Sequence, residues 1–290
     1  MDTRFLESFL IVAQRGSIAE AARQLDLTPA ALAQRVRALE SELGVRLLVR
    51  AGRTVQPTEA GRAILKRAEQ ILRDTRELRA VATSGTAAGR LRIGVIATAV
   101  TGIMPTILSF LAKSCPQLEI YVVPGISGEL YTKLLDDKLD AAILVQPPFR
   151  LGKYCNWMLL RKEPLVVISP ASVPIINTRM LLMNEPFIRY NRKHWGGRIV
   201  DNYLQRAKIT PCERFELDAL DAIAVLVARG LGVSLVPDWA PPWPEGLVLN
   251  KTSIDAPAFV RHIGLLWMRN SANIRLVQIF RTQARAALGM

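Results

Sequence analysis

Hydrophobic positions in the first eighty residues recur at three- and four-residue steps; from about residue 90 they gather into short apolar runs separated by amphipathic stretches. Between Arg4 and Arg15, Phe5, Leu6, Phe9, Leu10, Val12 and Ala13 line one helix face, and Gly16 ends the run as a C-terminal glycine does. Ser17 can cap a second helix, with Glu20 three residues on completing a capping box and Ala21, Ala22 and Leu25 facing inward. Thr28 caps a third, with Pro29 in its first turn and Leu32, Val36, Leu39 and Leu43 as the buried stripe up to Gly44. Two short helices joined by a tight turn have the lengths of a helix-turn-helix. The stripe leaves Ala30, Ala31, Ala33, Gln34, Arg35 and Arg37 outside. Small residues allow close approach to a groove, Gln pairs with adenine, and Arg pairs with guanine or phosphate. Taken alone, such a face more often belongs to an ordinary solvated helix.

Val45 to Gln56 reads as two short extended pieces around an Ala-Gly turn, a candidate wing. Thr58 then caps a helix to about Ala82, whose Ala60, Ile64, Leu65, Ala68, Ile71, Leu72, Thr75, Leu78 and Val81 form a seam near heptad spacing. Its other faces are charged, so the seam is expected to pack on a second copy of itself. Small, uncharged residues from Ala82 to Gly89 mark a hinge. Strands then alternate with helices: strand Leu91–Ile96, helix Gly102–Lys113, strand Leu118–Val123, helix Gly128–Asp136 and strand Ala141–Val145, a parallel βαβαβ unit. A second round follows, with strands at Leu165–Ser169, Phe187–Tyr190, Arg214–Glu216 and Val233–Val236 and helices at Gly196–Ala207 and Ala219–Ala228. Strand His262–Met268 and helix Ala272–Leu288 are expected to return to the first lobe. The predicted boundaries are 1–57, 58–89 and 90–290, with one lobe of about 90–163 and 265–290 and the other of about 164–264.

Composition narrows the classes. The chain has 290 residues, half of them hydrophobic, enough for two or three domains and too apolar to be disordered. Its three cysteines (Cys115, Cys155, Cys212) and two histidines (His194, His262) supply neither a disulfide framework nor a readable metal or Ser-His-Asp set. No catalytic residue, metal or cofactor is expected. No apolar run is long enough to span a membrane, and the start Met-Asp-Thr-Arg lacks the features of a signal peptide, so a cytoplasmic location is expected. The net charge of +13 suggests a polyanionic or anionic partner. Only five of those charges belong to the first ninety residues, so the remaining eight point to a second anion.

Ser17-Ile-Ala-Glu-Ala-Ala-Arg-Gln-Leu25, Leu27-Thr-Pro-Ala-Ala-Leu-Ala-Gln-Arg-Val-Arg-Ala-Leu-Glu40, Glu42-Leu-Gly-Val-Arg-Leu-Leu-Val-Arg50 and Pro57-Thr-Glu-Ala-Gly61 closely resemble the N-terminal signature of LysR-type transcriptional regulators. The resemblance is dense over residues 1–65 and extends by pattern to the whole chain. It implies a helix-rich winged helix-turn-helix domain, a long linker helix that dimerises, and a two-lobed α/β domain like a periplasmic binding protein. It also implies double-stranded DNA as partner, assembly as a homodimer or homotetramer, and a small-molecule effector between the lobes. The chain departs from the family pattern with Thr28-Pro29-Ala30 in place of Ser-Gln-Pro or Ser-Gln-Ser, Ala33 in place of a frequent Ser, and Leu48 in place of a frequent Phe. Fewer polar groups then reach a groove, leaving Gln34, Arg35 and Arg37, with Arg50 and Arg53 of the wing, as the main DNA candidates; Ser17, Thr28, Pro29, Ala30, Ala31, Ala33 and Thr58 surround them.

The resemblance places the effector at Ala97, Thr98, Ala99 and Val100, at Ser127 and Gly128, at Gln146 and Pro147, and at Arg189, Tyr190 and Asn191. Thr98 and Ser127 would stand beside helix N-termini, whose free N–H groups favour an anion, although a hydroxyl there more often serves as a cap. Arg189, Arg192, Lys193 and Arg198, with His194, cluster without an acid among them, more often a solvated face, and Arg189 or a neighbour would pair with an effector carboxylate, the planar fork of Arg matching that group. Two rivals stand beside this reading: an enzyme or solute-binding module with an appended DNA-binding domain, and a nonspecific nucleoid-type binder.

Overall fold

The structure is a computed structural model describing residues 2–52, 54–83, 89–174 and 177–290; of the side chains at 73, 74 and 76–83 nothing is described. The chain divides into two compact units, Met1–Gly85 and Thr86–Met290.

In the first unit, α1 (Thr3–Arg15), α2 (Ile18–Gln24) and α3 (Pro29–Leu43) are capped by the side chains of Asp2, Ser17 and Thr28. Gly16 and Gly44 close α1 and α3 at φ 67° and 69°, the left-handed region that favours glycine. Strands β1 (Leu48–Ala51) and β2 (Thr54–Pro57) form an antiparallel hairpin. The Glu40 carboxylate of α3 accepts the backbone N–H groups of Leu47 (2.7 Å) and Leu48 (3.1 Å), pinning the hairpin to the helix. Helix α4 (Glu59–Thr83) starts at Thr58, whose hydroxyl donates to the Arg46 carbonyl (2.7 Å) and accepts from the Gly61 N–H (3.0 Å).

Part of the seam expected to meet a second copy packs within its own chain. Ala68 and Leu72 are buried against Leu6, Phe9, Leu10, Leu39 and Leu47 of the same chain, and Ala60, Ile64, Leu65 and Ile71 pack beside them. This half of the helix completes the core of its own domain, because three short helices alone bury too little. Leu78 and Val81 belong to the side chains not described, and most of the expected hinge lies outside the described residues.

The second unit begins with β3 (Gly89–Val95), α5 (Ala97–Gly102), α6 (Met104–Ser114), β4 (Leu118–Pro124), α7 (Ser127–Leu135) and β5 (Ala141–Val145). Then come β6 (Cys155–Pro170), α8 (Thr178–Asn184), β7 (Pro186–Tyr190), α9 (Trp195–Arg206), β8 (Cys212–Leu217), α10 (Leu220–Ala228), β9 (Ser234–Pro237), β10 (Leu249–Ser253), β11 (Val260–Met268) and α11 (Ile274–Ala287). Strand β3 pairs in parallel with β4 and β5, and β11 lies antiparallel between β5 and β6. The first half of β6 pairs with β11 and the second half with β9 and β10, so this one strand runs through both lobes. Each lobe has its own core, one around Ile93, Ile143, Leu265 and Phe280 and the other around Ile168, Phe187, Ile223 and Leu235.

Three expectations change. The strand placed at 165–169 starts ten residues earlier, because Arg161, Lys162 and Glu163 interrupt the apolar pattern without interrupting the ladder. The helix placed at Gly102–Lys113 is α6, with Pro105 in its first turn, and a short helix that was not expected, α5, precedes it. Helix α8 and the polar strand β10 were not anticipated.

Buried Asp140 fastens the first lobe. Its carboxylate accepts the Arg92 N–H (2.6 Å), pairs with the Arg92 guanidinium (3.2 Å) and accepts from Asn273 Nδ2 (3.0 Å), joining β3, β5 and the approach to α11. Removing one partner of a buried charged network leaves the others unpaired, so Asp140→Ala should lower unfolding stability by about 3 kcal/mol in urea melts. A loss below about 0.5 kcal/mol, the size of an ordinary surface substitution, would contradict this role.

Candidate functional site

Two surfaces carry the expected site residues. On the first unit, Gln34, Arg37 and Arg50 are exposed, Pro29 and Ala30 stand exposed at the start of α3, and Ala31, Ala33 and Arg35 are half-buried. Arg50 Nε donates to the Gly52 carbonyl (3.3 Å), and Arg53 lies outside the described residues. A hollow of about 360 Å³ separates α3 from the hairpin, with Ala33, Arg37, Arg46, Arg50 and Thr54 on its walls. Arg46 was not among the candidates, although its place in a basic stretch could have marked it. The hydroxyls of Ser17, Thr28 and Thr58 bond their own helices, which makes them orienting groups.

On the second unit, a cleft of about 860 Å³ lies between the lobes. Helices α5, α7, α9 and α10 all begin at its wall, and none of their N-cap residues, Ile96, Ile126, His194 and Ala219, makes a side-chain capping bond. Elsewhere α1, α2, α3 and α8 are capped by side chains, while α6 and α11 are not. Uncapped first-turn N–H groups with the helix dipole behind them favour an anion.

Arg261 stands in the cleft wall. It comes from β11, is 2% exposed, and forms a buried ion pair with Glu163 of β6 at 2.6 Å. Its Nη2 also donates to the Thr98 hydroxyl of α5 (3.2 Å). Arg161 Nε approaches the other oxygen of Glu163 (3.5 Å), so two guanidinium groups share one carboxylate. Tyr190 reaches the same place: burial pushes its phenol above the ordinary value, against the pull of Arg261, which hydrogen-bonds it. The phenol therefore stays protonated. Gly196 leaves room for the ring, since an added Cβ would lie 2.9 Å from it.

Ala97, Thr98, Val100, Ser127, Gly128 and Tyr190 line the cleft as expected. The Ser127 hydroxyl accepts the Val145 N–H (3.2 Å), tying α7 to β5. Five other expected residues do not line it. Ala99 faces the first lobe's core, and Gln146 and Pro147 stand off the wall. Asn191 braces the loop before α9, donating to Asp218 (2.6 Å) and accepting the Lys193 N–H (2.8 Å).

Arg189 is the main correction. Side chains alternate along a strand, so with Tyr190 toward the cleft its neighbour points to the other face of β7. There Arg189 is buried, pairs with Asp201 (3.1 Å) and Glu213, and lies over the Phe187 ring (5.2 Å). Burial alone would raise the Glu213 carboxyl, yet hydrogen bonds and charge from Arg189 and Arg192 hold it below the ordinary value. Arg189 is thus occupied by two carboxylates and offers no fork to a ligand.

The residues missed include Arg261, Trp195, Trp243 and the acids Asp218, Asp221 and Glu245, while Lys193 and His194, charged-cluster neighbours of Arg189, do stand on the wall. The Pro-rich run from Trp239 to Pro244 was the available signal for part of this. Trp239 and Trp243 stack at 3.7 Å, and the Lys251 ammonium sits 3.2 Å from the Trp243 ring centroid. Both faces of Trp243 are therefore covered, and it presents an edge. Among the described residues no cluster of His, Cys, Asp and Glu could hold a metal ion. Burial raises the pKa of Cys155, which touches Met268 (3.4 Å), and so disfavours its reactive thiolate.

A winged helix-turn-helix followed by a two-lobed unit with a cleft defines a DNA-binding regulator that carries a ligand-binding domain. Residues 3–62 match the family described as bacterial regulatory helix-turn-helix protein, lysR family, and residues 84–289 match the LysR substrate binding domain. The HTH-type transcriptional regulator CzcR of Bacillus cereus is 30% identical over 249 residues, 83% of this chain and 81% of that protein. Full-length OxyR from Pseudomonas aeruginosa, a cysteine-to-aspartate variant, is 25% identical with a TM-score of 0.69, covering 98% of this chain and 95% of that one. Full-length CbnR, solved in complex with its target DNA, shares the fold at 22% identity and a TM-score of 0.62, covering 99% of this chain and 100% of its own. The chain belongs to the LysR family of transcriptional regulators. Membership of this family does not favour the reading as an enzyme or solute-binding module with an appended DNA-binding domain.

If Arg261 neutralises Glu163 as the geometry requires, Arg261→Met leaves a buried carboxylate with a weaker partner and should cost about 3 kcal/mol or more in chemical denaturation. Stability equal to the unsubstituted protein would show the pair to be dispensable.

Proposed function

We propose that this regulator binds pseudo-palindromic double-stranded DNA through α3 and the β1–β2 hairpin, as a homodimer that assembles further into a homotetramer. Its effector is a small anion, a carboxylate, bound in the cleft. It works in the cytoplasm and catalyses no reaction. The observation that carries the anion is the convergence on the cleft of four helix N-termini without side-chain caps. Ligand binding would shift the population between two lobe arrangements and so change how paired DNA-binding units sit on their half-sites. Contacts to DNA fall to two kinds of residue: exposed Arg37 and Arg50 suit phosphate, whereas Gln34 on the outer face of α3 suits a base edge.

Gel shifts with the promoter region beside the chain's own gene test the DNA half. Arg37→Ala should weaken binding evenly across sequences and reduce the slope of log affinity against log salt by about 1, while Gln34→Ala should relax preference at one base position. Equal affinity for promoter and random DNA at about 150 mM salt would instead support a nonspecific binder. A thermal-shift panel of acetate, succinate, benzoate and matched neutral amides tests the cleft. A ligand at about 100 times its Kd adds about 2.7 kcal/mol to stability, so a carboxylate hit should raise Tm by several degrees. Thr98→Ala should reduce that shift, and Arg189→Ala should lower Tm without changing ligand affinity. Shifts with the amides alone would overturn the anion.

A further inference from the structure

Tyr131 of α7, Phe149 beyond β5 and Trp195 at the start of α9 pack edge-on against one another. Their ring centroids are 5.3 Å (Tyr131–Phe149), 6.0 Å (Tyr131–Trp195) and 5.6 Å (Phe149–Trp195) apart, with interplanar angles of 60–88°. Such T-shaped contacts set the positive ring edge against a negative face and are favourable beyond the area they bury. Tyr131 and Phe149 belong to the first lobe and Trp195 to the second. The cluster is therefore a contact between lobes, made by residues other than those of the Arg261 group.

Trp195 has a second place in the structure, since it also lines the cleft. Together with Ile199, one helical turn along, it packs on the first lobe's core, and Ile199 packs on the second lobe's core as well. Helix α9 is thus an element of one lobe with a seam of residues seated on the other. Its uncapped N-terminus opens into the cleft at the same residue that completes the aromatic cluster.

We propose that Tyr131, Phe149 and Trp195 form a latch that holds the two lobes in this arrangement, and that Trp195 is the positioning residue through which an occupant of the cleft alters it. The second half of this statement rests on the cleft being the effector site; the first does not. Any ligand that draws in the N-terminus of α9 must move Trp195 against Tyr131 and Phe149, so binding and lobe contact are coupled through one side chain. The latch is apolar, whereas the Arg261 group is ionic, so the two contacts between lobes respond to different changes in the cleft.

Hydrogen–deuterium exchange on the unliganded full-length chain tests the latch without a known effector. Phe149 is 47% exposed, so Phe149→Ala removes its ring without emptying a core, and Phe149→Tyr keeps the ring as the conservative control. Phe149→Ala should speed exchange severalfold in segments 97–102 and 195–200, which face each other across the cleft, and leave 91–95 and 141–145 of the first lobe's core unchanged. Phe149→Tyr should exchange like the unsubstituted chain. Unchanged rates in the facing segments overturn the latch, and so does an equal rise in the core strands, which would assign the ring to general stability. Because no ligand is present, failure of the carboxylate panel leaves this result standing. If a carboxylate from that panel binds, Trp195→Phe should preserve the exchange pattern yet weaken the slowing of exchange at 195–200 that the ligand causes; equal slowing would remove Trp195 from the coupling.

Discussion

The two-lobed unit depends on a charge pair that is unfavourable to bury. Arg261 and Glu163 are each about 2% exposed, and taking such ions out of water costs several kcal/mol apiece unless their geometry offsets it. The offsetting contacts are visible: Arg261 donates to Glu163 and to Thr98, while Glu163 also accepts the Ala240 N–H at 3.3 Å. These partners come from the first lobe, from the strand joining the lobes and from the chain returning between them. The pair therefore does more for register than for net stability. A hydrophobic replacement of similar volume could pack there, but it could not require Thr98, β6 and β11 to meet at one point.

That requirement organises the cleft. With the guanidinium held by β6 and β11, α5 is drawn in by the Thr98 hydroxyl and Tyr190 by its phenol, so the beginnings of helices from both lobes face a common space. The first-turn N–H groups there belong to the backbone, so no single substitution removes them. The wall of the second lobe carries the acids Asp218, Asp221 and Glu245 as well as Lys193, and His194 approaches Asp218 at 3.5 Å.

The sequence was most informative where local rules act alone. Ser17, Thr28, Gly16 and Gly44 mark the helix ends of the DNA-binding unit through hydrogen bonds spanning at most four residues, and each proved to sit where its chemistry requires. The alternating strands and helices of the lobes were equally legible, down to β5, whose residues are all buried. Of the eleven positions that the family resemblance marked for an effector, six line the cleft; Thr98, Ser127 and Tyr190 were reached through that resemblance. Arg261 was not, since its pairing with a residue 98 positions away is a property of the sheet. Arg189 misled for a related reason: a cluster of positive charges read along the chain hides the fact that Glu213 and Asp201 wait on the far face of β7. For the seam of α4, a heptad-like pattern does not say which partner fills it, and in its first half α1 of the same chain does.

Strand β6 runs unbroken for 16 residues through both lobes, about 50 Å of extended chain hydrogen-bonded to neighbours in each. In the first lobe β6 pairs only with β11, whereas in the second it lies between β9 and β10. Leu160 has no facing residue in β11, because Gly264 faces Leu159 and Ile263 faces Arg161, and such a bulge bends and twists the strand just before it enters the second lobe. Displacing one lobe therefore loads the hydrogen-bond ladder of the other along this strand.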